Sequence, residues 1–252
     1  MNKEQKEQYE KFAREKLGFD FQDLNLLVTA LTHRSYVNEH KKTHVEHNER
    51  LEFLGDAVLE LVVSDFLYRN FQQPEGIMTA WRSALVRTES IGDAGKRLGY
   101  EPLVRLSNGE KAGTSRAHDV ILADCFEAVI GAIYLDQGYE LAKKFIEKHI
   151  LSKMDSILAE GSWRDPKSFF QEIVQHYDGV TPIYRTLKED GPDHDKTFTV
   201  GVYVSGKQRG EGVGHSKQEA QGSAAKQGIA FYRRKNPDFD PLKISPIVDK
   251  KH

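Results

Sequence analysis

Through LEFLGDAVLELVVSDFLYRNF, from Leu51 to Phe71, apolar residues fall on nearly every side of a projected helix, the mark of a helix buried by its neighbours. DVILADCFEAVIGAIYLDQG, from Asp119 to Gly138, has the same character. Helical texture of this kind covers roughly the first 160 residues. After AEGSWRDP the pattern turns to period-two alternation, as in KTFTVGVYVSG, and becomes helical again at SKQEAQGSAAKQGIAFYRR. Gly161 and Ser162 interrupt the first pattern and Pro166 suits the first turn of a new helix, so a linker is placed at 159–164. The expected fold class is two domains: an all-α domain over 1–158, then an α+β domain over 165–235. Residues 236–252, with Pro237, Pro241 and Pro246, read as an extended tail.

Inside the second domain, Asp165 and Pro166 start an amphipathic helix through FFQEIVQHY. IYRTLKEDG, KTFTVGVYVSG and KQRGEGVGHS then alternate like an antiparallel meander, and Ser216 caps a long alanine-rich helix. The element order is α-β-β-β-α.

Charge sharpens this division. The whole chain is nearly neutral, at −2, but residues 161–252 carry 15 Lys+Arg against 12 Asp+Glu, while residues 1–160 carry 21 against 26. Composition adds exclusions. A single cysteine, Cys125, rules out an intramolecular disulfide and a cysteine-based zinc site, and is most simply a small buried side chain. No apolar run reaches the roughly 18 residues of a membrane span, and the N-terminus, charged from its third residue, has no signal-peptide character. A cytoplasmic protein without membrane association is the expectation.

Two acid pairs stand within the apolar helices. Glu52 and Asp56 lie at i and i+4 on one face, with Glu49 a turn earlier; Asp124 and Glu127 lie at i and i+3. Ala128 and Gly131 flank the second pair and are small enough to let another helix approach. Asp119 is expected to cap that helix and Asp136-Gln137-Gly138 to stop it. Acids at such spacing are commonly solvated or paired with Lys or Arg. Neither pair here has a basic residue at helical spacing among its immediate neighbours, which favours one site built from four carboxylates. Packed together they would raise one another's pKa values, a conflict that a hard divalent cation removes by accepting oxygen ligands. Spacing alone leaves both readings open.

NERLEFLGDAVLE at 48–60 resembles the signature of the bacterial ribonuclease III family, and DVILADCFEAVIGAIYLD at 119–136 is similar to its second acidic segment. ALTHRSYVNE at 30–39 and EGIMTAWRSALVRTESI at 75–91 match further family segments in order and spacing. The resemblance implies a helical nuclease domain that dimerises around a valley for double-stranded RNA. It assigns metal ligation to Glu52, Asp124 and Glu127, and catalytic roles to Asp56 and Glu127. The cofactor implied is Mg²⁺, with Mn²⁺ as an alternative ion and no small organic cofactor. The implied reaction is phosphodiester hydrolysis leaving 5′-phosphate and 3′-hydroxyl ends with staggered cuts, in processing of ribosomal and messenger precursors. All four acids are retained, which argues against a protein that binds duplex RNA without cutting it. Glu49 is expected in a salt bridge near the helix cap, His33 in a structural hydrogen bond, and Glu75 near the valley. His118-Asp119-Val120 stands where many relatives carry Arg-x-Ser, and Ala80-Trp81 replaces more basic residues; both departures bear on RNA affinity.

The second domain resembles the double-stranded RNA-binding domain, through GPDHDK between the first two strands and GVGHSKQEAQGSAAK at the last helix. Such domains read duplex shape across the minor groove rather than base edges. By resemblance Gln171 and Gln175 meet one minor groove and His194 the next. The N-terminus of the last helix, at Ser216 and Lys217, together with Lys226, holds the intervening phosphates. A lysine at a helix N-terminus opposes the macrodipole, which points to an external anion. Gln218 and Gln221 stand where many relatives are basic, so weaker and less salt-dependent binding is expected.

Overall fold

A computed structural model describes residues 2–41, 45–192 and 196–244. The chain divides into two compact units, the first running to Asp155 and the second starting at Ser156.

The first unit is helical, as expected. Its helices are α1 (Lys3–Phe12), α2 (Leu24–Ala30), α3 (Arg34–Glu39), α4 (Glu49–Asn70), α5 (Glu75–Val86), α6 (Thr88–Leu98), α7 (Asn108–Lys111), α8 (Ser115–Gln137) and α9 (Tyr139–His149), with α10 (Met154–Glu160) crossing the boundary. Helix α8 is the axis of this unit. Its residues from Ile121 to Ile133 are buried almost without interruption, which explains why its apolar residues follow no single face. Phe126 continues an aromatic row with Phe145 at 5.3 Å and Tyr100 at 6.2 Å, and Phe12 meets Tyr100 edge-on.

One expectation fails here. Asp119 does not cap α8, because the helix begins four residues earlier, at Ser115, with the Thr114 hydroxyl accepting from the Ala117 N–H. Asp119 instead pairs with Lys96 of α6. The polar first turn, Ser-Arg-Ala-His, carries no apolar periodicity and so conceals the true start. The stop at Gly138 is where it was expected.

The second unit holds α11 (Pro166–Asp178), β1 (Ile183–Asp190), β2 (Thr197–Val204), β3 (Lys207–Gly214), α12 (Lys217–Lys235) and a short α13 (Pro241–Ile244). Asp165 caps α11 through its side chain, with Pro166 in the first turn, and Ser216 caps α12 by accepting from the Glu219 N–H. The strands form an antiparallel sheet in the order β1-β2-β3. Val204 faces Lys207 across a two-residue turn at Ser205-Gly206, both with positive φ, as a tight hairpin demands.

Helix α12 lies directly on β3. A β-carbon at Gly212 would collide with the backbone of Ala220 and Ala224, so the glycines of β3 and the alanines of α12 are one packing device. Phe169, Phe170, Ile173 and Val174 of α11 complete the core with Val202, Val204 and Tyr232. Two stretches differ from expectation. Ala159 and Glu160 belong to α10 rather than to a linker. The described part of the tail is not simply extended, because Phe239 and Ile244 pack against the core.

Candidate active site

Glu52 and Asp56 stand one turn apart at the start of α4, and Asp124 and Glu127 stand in the middle of α8. What brings them together is a crossing of the two helices with almost no side chain between the backbones. A β-carbon at Gly55 would overlap the Glu127 carbonyl oxygen and lie 2.9 Å from the nitrogen of Gly131. One at Gly131 would in turn overlap the Leu51 carbonyl oxygen and lie 3.2 Å from the nitrogen of Gly55. Both glycines are therefore required, and together they form the crossing itself.

The start of α4 is tied down separately. Asn48, almost wholly buried, donates its backbone N–H to the Thr32 carbonyl at 2.9 Å and its side-chain amide to Cys125 Sγ at 3.7 Å. Cys125 is itself buried beside Asp124, and burial pushes its thiol up, away from any reactive thiolate. It is structural, as expected.

The electrostatics follow from this convergence. Glu127 is pushed up to about 8, first by burial and then by the charges of Asp56, Glu52, Asp124 and Glu60. Burial also raises Glu52, with Asp124, Glu49 and Asp56 adding to it. Asp124 is raised by burial, while His33 pulls it the other way. Asp56 is exposed at the rim. Glu52, Asp124 and Glu127 thus each feel charges on the opposite helix, which spacing along one helix could never establish.

The donor set suits a hard divalent cation: four carboxylates, oxygen ligands only, and no ion pair to Lys or Arg among the described residues. Among those residues, no three His, Cys, Asp or Glu side chains are gathered tightly enough to form a finished ligand cage. The carboxylates are near enough to repel and too spread to coordinate together, so a bound cation would have to draw them in.

Neighbouring residues separate into roles. Glu49 pairs with Arg34 at 3.1 Å, with His47 at 3.8 Å, matching the salt bridge expected of it. His33 caps α3, its ring nitrogen 2.8 Å from the Ser35 hydroxyl, as a structural hydrogen bond requires. Glu75, exposed in the first turn of α5, accepts a hydrogen bond from the Thr79 hydroxyl at 3.0 Å. Glu60 was missed. It lies at i+4 from Asp56, bonds Arg82 at 2.9 Å and adds to the field on Glu127. Its spacing would have revealed it.

In the second unit Gln171 and Gln175 are exposed one turn apart on α11, lining a shallow surface with Ser168, His176 and Ile244. Lys217 and Lys226 are exposed on α12, one at its first turn and one in its middle. His194 lies outside the described residues.

A family model described as Ribonuclease-III-like matches residues 23–154, and one for the double-stranded RNA binding motif matches residues 166–232. Ribonuclease 3 of Enterococcus faecalis is 45% identical over 217 residues, covering 86% of this chain and 94% of that one. The chain belongs to the ribonuclease III family. Ribonuclease 3 of Listeria innocua is 44% identical over 220 residues, again covering 86% and 94%. The solved nuclease domain of ribonuclease III from Campylobacter jejuni is 38% identical, covers 56% of this chain and 98% of that one, and superposes with a TM-score of 0.50. As a member of this family the chain is an endoribonuclease acting on double-stranded RNA, with the divalent-metal dependence the family implies. Among the described residues no helix is long and apolar enough to cross a membrane.

Two departures from relatives in the ribonuclease III family now have physical accounts. Trp81 is fully buried and meets Phe71 edge-on at 5.0 Å, so it is a core residue and not a lost RNA contact. The His118 ring nitrogen lies 2.8 Å from the Glu110 carbonyl, tying the start of α8 to the short helix α7.

Proposed function

We propose that Glu52, Asp124 and Glu127 hold Mg²⁺, with Mn²⁺ as an alternative, and that Asp56 stands beside them as a catalytic carboxylate. The observation carrying this reading is the repulsion among four carboxylates on two helices locked together by Gly55 and Gly131, with no Lys or Arg paired to any of them among the described residues. When bound, the cation supplies an acidified water and offsets the charge that grows on the scissile phosphate. Glu127, held protonated at neutral pH by its surroundings, would give up its proton to serve as a ligand. Asp56, facing solvent, would orient the attacking water and accept its proton. Cuts leave 5′-phosphate and 3′-hydroxyl ends. Structured ribosomal and messenger precursors in the cytoplasm are the substrates this reading expects.

The second unit presents Gln171 and Gln175 to a minor groove. The N-terminus of α12, with Ser216, Lys217 and Lys226, meets the phosphates across the major groove. The deciding experiment incubates the full chain with a long RNA duplex, in Mg²⁺ and in EDTA. Discrete short duplexes should appear only with the metal. A duplex that is bound but left intact in Mg²⁺ over a range of pH and salt would sink the catalytic assignment.

Homodimerisation belongs to the same reading. Phe53, Leu61 and Tyr68 of α4 are 81%, 57% and 70% exposed and lie within one arc of the helix, alongside the row of acids. A second copy seated on this face would cover them and set its own acids near the first. The related Campylobacter jejuni nuclease domain has a region involved in dimer formation. Phe53→Glu is expected to shift the micromolar protein from dimer to monomer in sedimentation, with more than about tenfold weaker association. A dimer unaffected by this change would place the interface elsewhere.

A further inference from the structure

A lysine in the first turn of a helix calls for an anion, and the structure identifies one within the chain. Lys217 Nζ lies 2.8 Å from one carboxylate oxygen of Glu189, near the end of β1, and the other oxygen lies 3.6 Å from Lys196 Nζ. Lys217 Nζ also lies 5.4 Å from the centre of the Phe198 ring, and Phe198 is opposite Glu189 in the β1–β2 ladder. Glu219, in the first turn of α12, is committed to the helix cap, where it accepts from the His215 N–H at 2.8 Å.

We infer that Glu189 is an internal rival of RNA phosphate, occupying Lys217 in the first turn of α12 and held there also by Lys196 just before β2, so that the duplex has to displace it to reach Lys217. The inference rests on the phosphate-binding role proposed above for this terminus. The two lysines hold the Glu189 carboxyl below its ordinary range. An exposed pair of this kind is weak and salt-screened, and a duplex offering an array of phosphates displaces it. The cost remains in the complex, because the released carboxylate sits beside the bound backbone. Gln221, where relatives are often basic, accepts from Lys167 at 2.6 Å and offers no relief. Glu189 therefore moderates RNA affinity, a property suited to an enzyme that must release its duplex products.

The test measures duplex RNA binding by the full chain in EDTA, over a series of salt concentrations. Glu189→Gln is expected to tighten binding about three- to fivefold at low salt and to steepen the salt dependence by about one unit of log–log slope. Glu211→Gln, which removes another exposed acid, on β3, should change little. Lys217→Ala should weaken the Glu189→Gln protein more than the parent. Unchanged or weaker binding by Glu189→Gln overturns the inference, as does equal tightening by Glu211→Gln. If Lys217→Ala has no effect in either background, it is the phosphate role of the helix terminus that fails, and the rivalry with it.

Discussion

Glu127→Gln is expected to lower duplex cleavage by about 10³-fold or more while leaving duplex affinity in EDTA within about twofold of the parent. The amide preserves the shape of the side chain but removes a charge that a cation requires. The same change should have the opposite sign for stability. Glu127 has an ordinary value of 4.5 and a folded value of about 8, so the folded chain binds more protons than the unfolded chain across that interval. The contribution of this group is therefore present below pH 4.5 and lost as the pH rises through about 8. In EDTA the glutamine variant should match the parent at low pH and exceed it at pH 9 by about 1–2 kcal/mol, well below the full shift because the group is partly open to water. Thermal melting across pH reads this directly. A parent and variant that melt alike at pH 9, and cleave alike at pH 7, would remove Glu127 from the site. Binding of Mg²⁺ near pH 7 should release close to one proton, measurable by titration calorimetry in buffers of different ionisation enthalpy.

Gly55→Ala is expected to destabilise the chain by about 3 kcal/mol, a large fraction of the stability of an ordinary domain. Its new methyl group would overlap the Glu127 carbonyl oxygen, and backbone cannot rotate away as a side chain can. The helices would have to separate, and the carboxylates with them, so cleavage should fall even where the protein remains folded. Gly222→Ala is the matched control. It lies within α12 with nothing near its missing β-carbon, so it should be neutral or stabilising by up to about 1 kcal/mol. Urea denaturation separates the two. A cost below about 0.5 kcal/mol at Gly55 would mean the crossing is looser than its geometry.

The sequence by itself determined a good deal. The spacing of Glu52 and Asp56, and of Asp124 and Glu127, places each pair on one helix face because the helical repeat is a local property. Period-two alternation revealed β1 to β3, Asp165-Pro166 marked the start of α11, and Ser216 marked that of α12, since caps and strands are written in a few adjacent residues. Where the local signal was weak the reading went astray, as at Asp119, displaced as a cap by Thr114, five residues earlier and ahead of the apolar pattern. Trp81 could not be distinguished from a surface position by its neighbours, because its burial depends on Phe71 and the helices packed around it.

Only the tertiary structure decided the rest. Residues about 70 positions apart become one electrostatic site because Gly55 and Gly131 let two backbones touch, and Glu189 meets Lys217 because a strand end and a helix start are folded side by side. The reason is physical. Periodicity fixes which way a side chain points from its own element, whereas charge interaction falls with distance through space, and that distance is set by which elements pack and how closely.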